Sequence, residues 1–378
     1  MRAGIDSKPC GAGRFEFEQS PGDPVEQRAR AGRGGGTERG GDQRGAGGEG
    51  GQGVAAGDLG DGHAGMMASG VRAVKRAAVD TDDPVGAGQR LTMALRSHFS
   101  PPAVLRRALV SRVQALFHDP ARNETPVVRS DAALFRPDSV IWRVHGDVTT
   151  MMIGGVTALL LQMLHPAALA GVWEHSTFRN DMLGRLRRTA RFIAVTTYAE
   201  RSQADAAIDR VKAVHEHVRG TLPDGTPYCA SDPELLAWVH VCETIGFLDA
   251  WIRYREPTMS RADQDAYVAQ AAVVALRLGA DPVPQTRAEA EALLQQFRPR
   301  LAGGERVRAV AAMILDQPAK SRIAAPAQRL LMEAAVDLLP GWAKSMHGRR
   351  VETLQIPAVR GGTWAMAQTL HWAFSGRR

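Results

Sequence analysis

Cysteine is nearly absent. Cys10, Cys229 and Cys242 are the only three in 378 residues. So few cannot build a disulfide framework, and no CxxC pair supports a zinc site, so a reducing compartment is the simplest setting. No basic stretch followed by an apolar core opens the chain, so no secretory signal is read, and a cytoplasmic location is expected. Aromatic residues are only 6%, which disfavours a stacking platform for single-stranded nucleic acid. No GxGxxG follows a strand into a helix, and no P-loop lysine, HExxH or GxSxG occurs. Dinucleotide, nucleotide-triphosphate, zincin and nucleophile-elbow chemistry therefore lack their usual signatures. No alternating β-branched run with a hairpin turn stands out.

The charge that is present is basic. The formal net charge is +7, mostly from scattered arginine rather than from a lysine-rich arm. This suits an acidic ligand or a peripheral membrane contact better than a nucleic-acid partner, and none of the latter is expected. Glycine is distributed unevenly. About half of the 39 glycines lie in residues 1–65, where Leu, Ile, Val and Phe are few. Such a segment cannot bury enough apolar surface to offset its ordering entropy, so a disordered Gly/Arg-rich arm is expected. Met66 and Met67 stand where ordinary composition begins, so translation is open to starting there. The remaining roughly 310 residues can bury a substantial core. The expected organisation is an arm (1–65), a linker with helices (66–130), a helical domain (131–349) and a tail (350–378).

Apolar spacing beyond Pro101 is that of helices. Val104, Leu105, Ala108, Leu109, Val113, Leu116 and Phe117 form one stripe, closed by Asp119-Pro120. Ala204, Ala207, Ile208, Val211, Val214 and Val218 form another, with Gly220 as its stop. Ser231-Asp232-Pro233-Glu234 reads as a helix start capped by Ser231. Further amphipathic stretches run over Ser260–Leu278, Thr286–Phe297, Arg306–Leu315 and Ala325–Leu338. The fold class is all-α, one large multi-helix domain. Val148–Trp173 carries no charged side chain and is long enough to span a bilayer. Gln162, His165 and Pro166 interrupt it, which favours one or two helices at the centre of the core.

Chemistry is sought where polar groups interrupt apolar helices. His165 precedes Pro166 at a bend. Glu174, His175 and Ser176 end the apolar run. Arg185, Arg188 and Thr189 share one helical face, as do His240 and Glu243. Two guanidiniums beside a hydroxyl suit an oxygen ligand. One nitrogen of His240 can bind a metal while the other donates to an acceptor. His215 and His217 are two apart and point to different helix faces, so exposure is their default. Taken singly, each of these is also compatible with a purely structural role.

A series of short motifs, in order, resembles one family. It comprises the run from Leu134 to Asp147 (LFRPDSVIWRVHGD), the run from Leu159 to Pro166 (LLLQMLHP), Ala170-Gly171-Val172, His175-Ser176-x-Phe178, Arg185-Leu186-x-Arg188-Thr189, Asp224-Gly225, Tyr228, Asp232-Pro233 and Trp238-Val239-His240. Together, over roughly 135–348, these are similar to the MpaB-like, rubber-oxygenase-like catalytic domain. The resemblance implies a helical fold and a haem b oxygenase acting with O2 on a hydrophobic, isoprenoid-like or alkene-containing substrate. It implies His240 as the axial iron ligand, and Arg185 and Thr189 as distal-pocket residues. Arg188 takes the place of a lysine, with His165 and His175 near the cofactor. Arg188 stays protonated and is a poor iron ligand. Glu174, with Asp181 nearby, is the candidate catalytic carboxylate. Two other readings remain open at this level: a helical binding protein for a hydrophobic or lipid ligand, and non-haem iron held by His and Glu.

Overall fold

The computed structural model describes residues 101–117, 125–179, 181–319, 321–349 and 355–374. The glycine-rich arm, Met66 and Met67, the Asp119-Pro120 stop and parts of the linker and tail lie outside them. The described residues from Leu105 onward belong to one compact unit, and Pro101–Val104 to another. The helices are α1 (Pro101–Phe117), α2 (Val140–His145), α3 (Val148–Gln162), α4 (Pro166–His175), α5 (Met182–Tyr198), α6 (Arg201–His217), α7 (Pro233–Tyr254), α8 (Arg261–Leu278), α9 (Arg287–Phe297), α10 (Glu305–Leu315), α11 (Ala325–Leu338), α12 (Gly341–Met346) and α13 (Ile356–Phe374). Single 3-10 turns at Thr177–Arg179 and Arg298–Arg300 join neighbours.

The helical expectation holds, with one addition. Arg219–Thr221 and Pro227–Cys229 pair as a two-stranded antiparallel hairpin, β1 and β2. Its strands are three residues each, too short for an alternating pattern to show. The turn is made by Gly225, whose φ of 88° favours glycine. Helix α6 accordingly ends at His217 rather than at Gly220.

Val148–Trp173 is two helices, α3 and α4, bent by 105°. Pro166 stands at the start of α4, where its missing N–H costs nothing. The bend leaves carbonyls in and just beyond the last turn of α3 without α-helical donors, and groups from distant elements reach them. Trp238 Nε1 donates to Gln162 O at 3.2 Å, and His347 Nε2 donates to Leu160 O at 2.9 Å. Ala302 N donates to Leu164 O at 2.9 Å. His165, at the bend, supplies none of these contacts, and its Nδ1 is buried without a partner among the described residues.

Helix α7 starts at Pro233, and its cap is Asp232, not Ser231. The Asp232 carboxylate accepts from Leu235 N at 2.8 Å. With Pro233 as first helical residue, the side chain that reaches the third amide is the one directly before the proline. α3 and α7 cross at Gly154 and Gly246. A Cβ on Gly154 would lie 2.7 Å from Gly246 O, and one on Gly246 would lie 2.7 Å from Gly154 O. The two backbones touch, and only glycine allows it. This crossing sets the C-terminal turn of α3 beside the middle of α7.

Candidate active site

Between Leu235 and Leu248 every residue of α7 is buried except Val239, His240 and Glu243. These three fall on one side of the helix. An interior helix thus keeps one short accessible face, and that face carries a histidine and a carboxyl.

Burial pushes the pKa of His240 down to about 4. At neutral pH the ring is uncharged, and one nitrogen offers a lone pair. Its polar neighbour is Thr244 Oγ1, 3.4 Å from Nδ1 and 3.5 Å from Nε2. The two nitrogen axes diverge, so an oxygen this nearly equidistant lies along neither.

Glu243 is held differently. Burial pushes its pKa up to about 7, with the Gln162 hydrogen bond and the Arg185 charge opposing. Gln162 Nε2, from the end of α3, donates to Glu243 Oε1 at 3.4 Å and to Val239 O at 3.5 Å. At neutral pH the carboxyl is therefore about half protonated.

Arg185 comes from α5, whose first turn is capped by Asp181 accepting from Gly184 N at 2.7 Å. Burial is the first cause lowering its pKa and the Arg188 charge the second, while Glu243 raises it. Glu243 and Arg185 thus sense each other's charge without forming an ion pair, and the Arg185 guanidinium makes no hydrogen bond among the described residues. His215 of α6 is also within reach of this charge. Its pKa is lowered by burial and then by Arg185, and its Nδ1 is buried without a partner. The expectation of an exposed His215 is therefore corrected, because α6 turns this side chain inward while His217 stays outside.

Behind the site, His145 is fully engaged. Thr197 Oγ1 donates to Ile193 O at 2.7 Å, so it accepts from His145 Nδ1–H at 2.8 Å. Tyr267 then donates its hydroxyl proton to Nε2 at 3.1 Å. Burial pushes His145 down to about 3, so it is a neutral ring with a fixed tautomer.

The other expected site residues stand elsewhere. Arg188 is half-buried and bonds Thr177 Oγ1 at 3.0 Å and Asp181 Oδ2 at 3.5 Å. Thr189 is exposed. Glu174 is exposed and accepts from the Tyr228 hydroxyl at 2.7 Å, and His175 sits edge-on to the same ring. Burial and then Glu174 raise the pKa of Tyr228 above the ordinary phenol range. His165 packs against the Trp238 and Phe297 pair, and its pKa is lowered by burial and then by Arg300, with Asp232 and Glu234 opposing. Glu243, not Glu174, is the carboxyl in electrostatic reach of Arg185. Its signal in the sequence was a position one turn after His240 on the same face.

Among the described residues no three His, Cys, Asp or Glu side chains converge as a metal site. A metal held by side chains alone needs about three or four such donors. An iron already held in a porphyrin needs only one axial histidine, and His240 has the neutral, unengaged ring for it.

A sequence model described as "ER-bound oxygenase mpaB/B'/Rubber oxygenase, catalytic domain" matches residues 142–372. No curated protein and no solved structure matches.

Proposed function

The chain belongs to the family of ER-bound oxygenase mpaB/B' and rubber oxygenase catalytic domains, and its function is of the oxygenase type. On that premise we propose that the accessible face of α7 is a haem-dependent oxygenase site for a hydrophobic substrate. The observation that carries this reading is His240, an interior histidine kept neutral on the accessible face of the otherwise buried Leu235–Leu248 stretch of α7.

His240 would hold the iron, and a haem b bound there would supply oxygen activation. The protein's own part follows from its side chains. Burial keeps a proton off His240, so the ring nitrogen is available at neutral pH. Arg185 presents guanidinium donors to oxygen atoms that carry negative charge. Glu243 exchanges a proton near neutrality within reach of the same charge. Gln162 orients the Glu243 carboxyl and closes the face from the α3 side. Thr189 and Glu174, both exposed, would act at the edge of this region rather than within it.

The test is an absorption spectrum and iron assay on the purified full chain expressed with haem supplied. A Soret band with iron in step with protein is expected. His240→Ala should lose the band and keep its far-UV helical signal. A variant that retains the wild-type Soret spectrum removes His240 as ligand. Iron without a Soret band would replace the haem reading with non-haem chemistry. Absence of both would favour a binding protein for a hydrophobic ligand.

A further inference from the structure

Arg185 presents a problem that a hydrocarbon substrate does not solve. The guanidinium is permanently charged, and its surroundings are dry enough for burial to dominate its electrostatics. Yet among the described residues it has no ion pair and no hydrogen bond. Among the described residues its nitrogens are not counted with the sealed, unpartnered atoms, so they keep some accessible surface. Glu243 is no fixed counter-ion, because it is about half protonated at neutral pH and makes no contact pair. Arg188 adds positive charge, and its own partners are Asp181 and Thr177.

A neutral alkene entering this region would strip water from the guanidinium and return nothing to it. Leaving a buried charge unpaired is among the costliest things a site can do. A ligand carrying its own anionic oxygen pair reverses the sign. A carboxylate meets the planar fork with two parallel bonds. His215 is within electrostatic reach of Arg185, and its pKa is lowered by burial and then by that charge, so it adds no anion that would compete for the guanidinium. Glu243 in its protonated form does not repel the carboxylate.

We propose that Arg185 anchors the acidic head group of an elongated hydrophobic substrate, so that the substrate class is an amphipathic carboxylic acid rather than a neutral hydrocarbon. This rests on the reading of the α7 face as the substrate site. It is separable from the haem assignment, since binding needs no iron.

The experiment is equilibrium binding of farnesoic acid and of farnesol, the matching alcohol, to the purified full chain. The Soret band is recorded on the same samples. The acid should bind about tenfold or more tighter than the alcohol. Arg185→Gln should bring the acid down to the affinity of the alcohol and leave the alcohol unchanged. Arg185→Lys keeps the charge without the fork and should retain part of the preference. Far-UV circular dichroism checks that each variant is folded. Equal affinity for acid and alcohol in the wild type overturns the proposal, as does an Arg185→Gln chain that still prefers the acid. If Arg185→Gln weakens haem retention while the wild type shows no acid preference, the guanidinium serves the haem carboxylates and the proposal falls with the oxygenase reading intact. An acid preference in a chain without a Soret band leaves the proposal standing and removes the haem reading.

Discussion

Tyr267 and Thr197 grip the two nitrogens of His145 from opposite sides, and each contact has a direction. Thr197 spends its proton on Ile193 O, so it must accept, and Tyr267 must donate. Burial and then Glu243 raise the pKa of Tyr267 well above the phenol range, so the donor is permanent. Tyr267→Phe keeps the ring and removes the donor, leaving a buried nitrogen acceptor unsatisfied. A loss of about 1–3 kcal/mol is expected, read from the urea unfolding midpoint. An unchanged midpoint would mean that His145 is not held by this pair. At this scale the sequence was only partly legible. His240 and Arg185 stood out by type and spacing. The engagement of His145 and the pairing of Glu174 with Tyr228 depend on partners 50 or more residues away in the chain, which no local pattern shows.

Three glycines in the crossing of α3 and α7 make a sharp test at the scale of elements. A Cβ on Gly154 or Gly246 would press on the backbone of the other helix at 2.7 Å. One on Gly155 would meet Phe247 Cε1 at 3.6 Å, an ordinary contact. Gly154→Ala and Gly246→Ala should therefore destabilise the fold by about 1–3 kcal/mol or more through overpacking. Gly155→Ala should be neutral or stabilising, by up to about 1 kcal/mol, because alanine is the better helix former. Thermal unfolding of the three variants decides it, and equal effects at all three sites would remove the crossing as the cause. The helices themselves were readable from periodicity. The break inside Val148–Trp173 was readable from Pro166. α7 is long and apolar enough to cross a membrane by length and composition, but most of it is buried in the core. The hairpin was missed because two three-residue strands carry no period.

Over the whole molecule, the buried titratable groups set an acid response. His145, at about 3, and His240, at about 4, both lie below the ordinary 6.5. His165, His215 and His347 are lowered by burial as well. Below pH 6.5 the unfolded chain takes up protons that the folded one refuses, so their contribution is full above 6.5 and is lost as pH falls toward 4 and 3. Glu243 acts in the opposite sense. Its folded value, about 7, is above the ordinary 4.5, so its contribution is full below 4.5 and is lost as pH rises through 7. Five histidines oppose one carboxyl, so stability should rise from pH 4.5 to 6.5. Urea midpoints measured between about pH 5 and 8 would show this. A midpoint that rises on acidification below 6.5 would mean that these rings are not kept neutral.

The sequence by itself determined that this protein is helical and where most helices begin and end. Apolar spacing, caps and prolines act within a few residues, and those interactions are written side by side in the chain. It also carried the ordered motifs of an oxygenase family. Only the tertiary structure decided which polar side chains share an interior. Gln162 of α3 and Glu243 of α7 come together because two glycines let those two backbones touch, and Arg185 of α5 and His215 of α6 are brought within electrostatic reach by the packing of separate helices. Burial, and the charge and proton states that follow from it, belong to that packing and to no single segment.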